Sequence, residues 1–190
     1  MSDAKISLWV LGPVGSGKTT LLQRYLPPDF RLLDQDAQLE QELLARHIPL
    51  DTRTHDPVEA ETFRALRREV SDRVWTQPPG WRLLGVPLAF EVSGDKPHLL
   101  QIEVELDRAA GYRSLGVAVR CPLETCLRRN GQRCRVLPDD VVESTWLAFE
   151  KYLATGAYTA IFGPSAFHIA ADASEFDLAQ WLNHFRATGS

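Results

Sequence analysis

The chain has no apolar run near the roughly 20 residues that would span a bilayer, and its first residues lack the charged-then-apolar pattern of a secretory signal. A cytoplasmic protein with no membrane partner is expected. Cysteine is scarce: Cys121, Cys126 and Cys134 lie close together with no histidine at zinc-like spacing. Reduced structural thiols are therefore expected, not a disulfide framework or a metal knuckle. The five histidines are scattered and show no metal spacing either. Basic residues are outnumbered 21 to 25 by acidic ones, a formal net charge of −4, so there is no general attraction to nucleic acid, only the option of a local patch. Internal repeats, low-complexity tracts, linkers and an Asn-Lys-x-Asp guanine-reading motif are all missing.

What is present is a 190-residue chain with 44% apolar residues, enough for one domain over residues 1–190 with a substantial core. Strand-like and helix-like stretches alternate along it, which argues for an α/β fold with a parallel sheet covered by helices on both faces.

One stretch organises the reading. Gly12, Pro13, Val14, Gly15, Ser16, Gly17, Lys18 and Thr19 have the Gly-x-x-x-x-Gly-Lys-Thr spacing of a phosphate-cradling loop, with Thr20 continuing into a helix. Before it, Ile6 to Leu11 is an almost unbroken apolar segment that reads as a strand buried on both faces. After it, a short helix runs to Leu26 and stops at Pro27-Pro28. Glycines let backbone N–H groups turn toward an anion, and the helix N-terminus adds its partial positive charge. Lys18 is expected at the β- and γ-phosphates of ATP, and the Thr19 hydroxyl on Mg2+.

Further along, Phe30 to Asp34 reads as a second strand that delivers Asp34 and Asp36 to the C-terminal edge of the sheet, where ligands bind in open α/β folds. Leu39, Leu43, Leu44 and Ile48 repeat at helical spacing. Asp56, Pro57 and Glu59 open another helix, whose buried stripe is expected to be Val58, Phe63, Leu66, Val70 and Val74. Its other face, with Arg64, Arg67, Arg68 and Arg73 among acids, reads as solvated in preference to a substrate-binding face. Gln77 to Gly80 is expected to end that helix. Val86 to Val92 forms a third strand carrying Glu91 and then Ser93 to the same edge. Residues 95–110 read as a helix, Leu115 to Arg120 as a fourth strand, and Pro122 to Asn130 as a short helix. Pro138 opens a helix packed through Val142, Trp146, Phe149 and Leu153; Ala166 to Ala171 is a fifth strand. Ser174 and Asp177 cap a last helix packed through Leu178, Trp181, Leu182 and Phe185.

Phosphoryl transfer needs a group to orient or deprotonate the acceptor, a metal to bridge the phosphates, and cations to neutralise the charge spread over the equatorial oxygens. Asp36 is the natural base for an acceptor hydroxyl, although it could instead cap a helix starting at Ala37. Glu91 could hold Mg2+ through water or position the acceptor, with Ser93 beside it. Arg128, Arg129, Arg133 and Arg135 fall within eight residues. Such a cluster repels itself unless an anion visits, so a mobile lid over ATP is expected at about residues 128–138.

Together, Gly12 to Thr19, Asp34-Gln-Asp36, Glu91 to Gly94, Gly111 to Arg113 and the run from Arg129 to Val142 resemble the small P-loop kinases of the zeta-toxin and polynucleotide-kinase-like group. The resemblance spans roughly residues 5–160. It implies a three-layer α/β/α P-loop sandwich with five parallel strands in the order 2-3-1-4-5. It also implies Asp36 as catalytic aspartate and Arg133 on the transferring phosphate. Beside these, Arg129 is expected at the nucleotide, and Asp36, Glu91, Ser93 and Arg135 on the acceptor side. A basic residue often follows the aspartate in that group; here Ala37, Gln38, Leu39 and Glu40 follow it. The acceptor expected is a small-molecule hydroxyl such as that of a nucleotide sugar. The alternatives are a polynucleotide 5′-hydroxyl, or a nucleotide-binding regulatory module without transfer.

Overall fold

The computed structural model describes residues 5–54, 56–171, 173 and 176–187. Five strands, β1 (Ile6–Leu11), β2 (Arg31–Leu33), β3 (Leu88–Val92), β4 (Arg113–Val119) and β5 (Phe167–Ala170), form one sheet in the order β2-β3-β1-β4-β5, every pair parallel. Nine helices connect and cover them among the described residues: α1 (Lys18–Tyr25), α2 (Gln35–Ala45), α3 (Pro57–Val74), α4 (Gln77–Leu84), α5 (Pro97–Ala109), α6 (Leu123–Asn130), α7 (Asp139–Ala154), α8 (Ala157–Phe162) and α9 (Leu178–Ala187).

Strand β1 sits in the middle of the sheet and all six of its residues are buried. Its side chains alternate between two cores, as the period of a strand requires. Ile6, Leu8 and Val10 pack with Leu21 and Leu22 of α1 and with Leu178, Leu182 and Phe185 of α9. Trp9 and Leu11 face the opposite way, into a core built with Leu39 and Leu43 of α2, Leu66, Val70 and Val74 of α3, Val104 of α5 and Phe149 of α7. The expected three-layer sandwich and strand order are present.

Local departures from the sequence reading have local causes. Gln77 to Gly80 does not merely end α3; Trp75 and Thr76 separate the two helices, and Pro78 and Pro79 in the first turn open α4, where proline's missing N–H costs nothing. α4 is fixed by Arg82, which is buried and donates to Asp107 (2.7 Å) and Glu103 (2.7 Å) of α5. The other oxygen of Asp107 accepts from the Trp9 indole at 2.9 Å. Val58, expected in the buried stripe of α3, lies on the outside of the first turn and is 73% exposed. The chain after α7 turns at Gly156, in the left-handed region, into α8, a helix absent from the sequence reading. Tyr158 of α8 is fully buried and donates to the Gly94 carbonyl at 2.7 Å. Trp146, Leu153 and Trp181 are only partly buried. The cap expected at Ser174 lies outside the described residues, while Asp177 accepts from the Gln180 N–H at 2.8 Å. All three cysteines are free, Cys121 and Cys126 buried and Cys134 exposed. No helix of the described residues is long and apolar enough to cross a membrane.

Candidate active site

The Gly12–Thr19 loop joins β1 to α1 at the C-terminal edge of the sheet. It is tied to the neighbouring strand by the Gly12 N–H, which donates to the Val92 carbonyl at 3.3 Å. Gly15 has φ +79° and its backbone rests on α6: a Cβ there would lie 2.6 Å from the Cys126 carbonyl oxygen. Only glycine meets both conditions. Gly17 is the N-cap of α1, so Lys18 and Thr19 occupy its first turn.

Lys18 is buried, and its ammonium donates to the Gly12 (2.8 Å) and Pro13 (3.1 Å) carbonyls with Glu91 at 3.9 Å. Thr19 Oγ1 donates to Glu91 Oε1 at 2.8 Å. Two oxygens beside this array are buried with no hydrogen-bond partner among the described residues, Ser16 Oγ and Glu91 Oε2. Buried polar atoms are nearly always satisfied, so this pair marks where a ligand would complete the site. Burial pushes the Glu91 carboxyl above its ordinary range; Lys18 and the Thr19 hydroxyl pull it down, and Asp34 and Asp36 push it up again.

Strand β2 ends at Leu33, and Asp34 is the N-cap of α2, its Oδ1 accepting from the Ala37 N–H at 2.9 Å. Asp36 is therefore not the cap. It sits in the first turn of α2, where its carboxylate meets Arg135 at 2.6 Å and Arg133 at 4.0 Å. Glu40, one turn on, lies 3.4 Å from Arg135 and 3.7 Å from Arg133. Loss of water around Asp36 opposes its ionisation, but the fields of Arg135, Arg133, Lys18 and Arg67 together outweigh that and hold its carboxyl below the ordinary carboxylate range.

The arginine-rich segment is consequently neutralised in part, Arg133 and Arg135 by carboxylates of this chain, which weakens the self-repulsion argument for a mobile lid. It is also stitched down. The Asn130 amide donates to the Leu137 carbonyl (2.8 Å) and accepts from the Leu137 N–H (3.1 Å). Val136 bridges to Leu50 and Thr52 through backbone hydrogen bonds of 3.2 and 2.9 Å. Arg129 reaches over the phosphate loop, donating to the Gly15 and Ser16 carbonyls at 3.3 and 3.5 Å. Arg128 and Cys134 face solvent.

Lys18, Asp34, Asp36, Glu91, Ser93 and Arg135 all line one cleft of about 590 Å³. Ser93 donates to Asp95 on its floor. Of the residues singled out in the loop, Val14 also lines the cleft, and Thr20 is exposed on α1. The arginine face of α3, for which the solvated reading is preferred from sequence, lines the same cleft through Arg64, Arg67 and Arg68, and Lys96 lines it as well. Trp75 lines it too, stacked on Phe90 and through it on Trp9 with all three rings within 14° of parallel. The solvated reading of the arginine face is preferred to a substrate-binding one because the choice depends on how α3 docks beside α2, with the three-to-four residue spacing of Arg64, Arg67 and Arg68 as the available sign; Trp75 and Lys96 went unrecognised for the same reason.

The donor set fits Mg2+. The Thr19 hydroxyl and the Glu91 carboxylate are hard oxygens, one of them an unpartnered buried atom, and Mg2+ is typically held by one or two such groups plus substrate phosphates and water. Among the described residues no group of three or more His, Cys, Asp or Glu could hold a metal by itself.

No protein-family model matches the chain. A stretch of 65 residues is 37% identical to L-seryl-tRNA(Sec) kinase of Mus musculus, a match over 33% of this chain and 18% of that protein, so the chain spans under a fifth of that relative's length. The structure superposes on one from the PezAT chromosomal toxin–antitoxin system of Streptococcus pneumoniae with TM-score 0.62 and 16% identity, over 96% of this chain and 78% of that one. A candidate kinase of Chloroflexus aurantiacus matches end to end, over 100% of both chains, with TM-score 0.61 and 14% identity. With the strand order and the phosphate loop at the end of β1, these likenesses give the chain the fold of the P-loop kinases.

Proposed function

We propose that this protein is an ATP- and Mg2+-dependent kinase that moves the γ-phosphoryl group to a hydroxyl of a small molecule, with nucleotide sugars among the candidate acceptors. The observation that carries the reading is convergence: Lys18, Glu91 and Asp36, at the ends of three adjacent strands, line one cleft beside two unpartnered buried oxygens. The loop N–H groups and Lys18 hold the β- and γ-phosphates, Lys18 exchanging its carbonyl partners for phosphate oxygens. Thr19 and Glu91 would hold Mg2+, which would neutralise charge on the phosphates. Arg129, already over the loop, and Arg133 face the transferring group.

Asp36 takes the acceptor's proton as the new P–O bond forms and the bond to the β–γ bridging oxygen breaks, releasing ADP. Arg135, expected on the acceptor, serves in this reading to hold Asp36 ionised and aimed. A low-lying carboxylate is a weak base, so its contribution is chiefly orientation, with proton transfer late along the reaction path.

The test is phosphate transfer from labelled ATP to a panel of sugars, nucleotides, nucleotide sugars, alcohols and a 5′-hydroxyl oligonucleotide. Asp36→Asn is expected to keep ATP affinity and lose about 10²–10⁴-fold in turnover. Undiminished turnover in that variant removes Asp36 from the mechanism. Tight ATP binding with no transfer to any panel member would favour a nucleotide-binding module, and label on the oligonucleotide alone a polynucleotide kinase.

A further inference from the structure

The residues after Asp36, Ala37 to Glu40, offer no cation to an acceptor, yet other cations line the cleft. Four arginines project from α3. Arg64 and Arg68 are held by Glu61 at 2.7 and 2.8 Å, and Arg73 by Glu42 at 2.6 Å. Arg67 is exposed, lines the cleft, and has no hydrogen bond or ion pair within the described residues. Its charge nevertheless reaches Asp36, where it helps to lower the carboxyl. Lys96, on the rim formed by the start of α5, is likewise exposed and without an ion pair among the described residues. Every other cation in the cleft already has an anionic or carbonyl partner on the protein: Lys18, Arg64, Arg68 and Arg135.

We infer that the acceptor carries an anionic group of the phosphate or carboxylate class, received by Arg67 and Lys96, while its hydroxyl reaches Asp36. This deepens the kinase reading and rests on it. Two cations with no ion pair among the described residues, lining the same cleft as the carboxylates, sort acceptors by charge distribution: an anionic group set against Asp36 alone is repelled, and one that reaches Arg67 and Lys96 is held. Arginine is suited to this role because its planar fork binds such oxygens in pairs. In this protein the recognition cation is supplied by α3, not by the residues following the aspartate.

The experiment uses the full chain loaded with Mg2+ and a non-hydrolysable ATP analogue, so that the phosphate loop is filled. Calorimetric titrations compare glucose with glucose 1-phosphate and glucuronate, and uridine with uridine monophosphate. The charged member of each set is expected to bind at least about tenfold more tightly, and Arg67→Gln to weaken only the charged members by about 10- to 100-fold. Arg46→Gln, which removes the same charge from α2 outside the cleft, is the control and is expected to change neither. Phosphate and carboxylate members separate the two anion chemistries. Equal binding of neutral and charged members, or equal loss in both variants, overturns the assignment. Failure of the wild type to bind the ATP analogue would instead count against the kinase reading, and the contrast between Arg67→Gln and Arg46→Gln would still be readable on the nucleotide-free protein.

Discussion

Replacing Arg135 by methionine isolates what that side chain does for Asp36. Methionine keeps most of the apolar stem and removes the guanidinium, and with it the contacts at 2.6 Å to Asp36 and 3.4 Å to Glu40. An exposed ion pair contributes about 0–1 kcal/mol, whereas breaking a buried one costs about 3–5 kcal/mol. This pair lies between the two cases: the Arg135 side chain is 3% exposed, but its partners are 48% and 30% exposed and can regain water once the cation is gone. The expected loss of stability is about 2 kcal/mol, of which about 1 kcal/mol is coupling to Asp36. Urea unfolding of the wild type, Arg135→Met, Asp36→Asn and the double variant measures it.

The pH dependence has a definite sign. Because the folded-state pKa of Asp36 is held below 3.8, the stability it contributes is present above that value and is lost as pH falls through the folded value. The gap between wild type and Asp36→Asn should therefore close on acidification, and in the Arg135→Met background it should close at higher pH. Additivity of the two single variants to within about 0.5 kcal/mol, or a gap indifferent to pH, would refute the pairing as an energetic unit.

Two more outcomes follow from the packing. Gly116, in β4 between Trp9 of β1 and Phe167 of β5, has the Phe162 ring so close that an added Cβ would lie 2.5 Å from it, so Gly116→Ala should cost about 1–3 kcal/mol in chemical denaturation and Phe162→Leu should recover part of that; a neutral Gly116→Ala contradicts the packing of α8. Of the three thiols, only exposed Cys134 should react quickly with a disulfide reagent at neutral pH, since Cys121 is buried and burial pushes the Cys126 thiol up to about 12; two fast thiols in the native protein would be inconsistent with that arrangement.

The sheet was legible from sequence because its strands are short apolar runs bounded by turn residues, and because the phosphate loop fixes which strand is central. The Asp56-Pro57 start of α3 was equally plain, since the cap chemistry is local. What could not be read were features decided by tertiary contact. Asp34 and Asp36 compete for one cap, and the winner depends on where β2 stops. Gln77-Pro-Pro reads as a stop when the Arg82 pairing with Asp107 is invisible. The arginines look like an unscreened cluster until α2 is folded against them and supplies Asp36 and Glu40. On α3, Val58 and Arg67 exchange their expected significance, because burial and cleft lining depend on a docking angle that periodicity does not encode.

The clamp between Asn130 and Leu137 has a kinetic side. An amide side chain that both donates to and accepts from one backbone residue behaves like an extra rung of sheet, closing the intervening residues into a ring that carries Arg133 and Arg135. The entropy of arranging those cations is then lost once, when the chain folds, and not each time an anion binds. In the proposed kinase reading such a site engages charge on arrival, so its encounter with an anionic ligand should be governed by diffusion and electrostatic steering more than by the ordering of a loop.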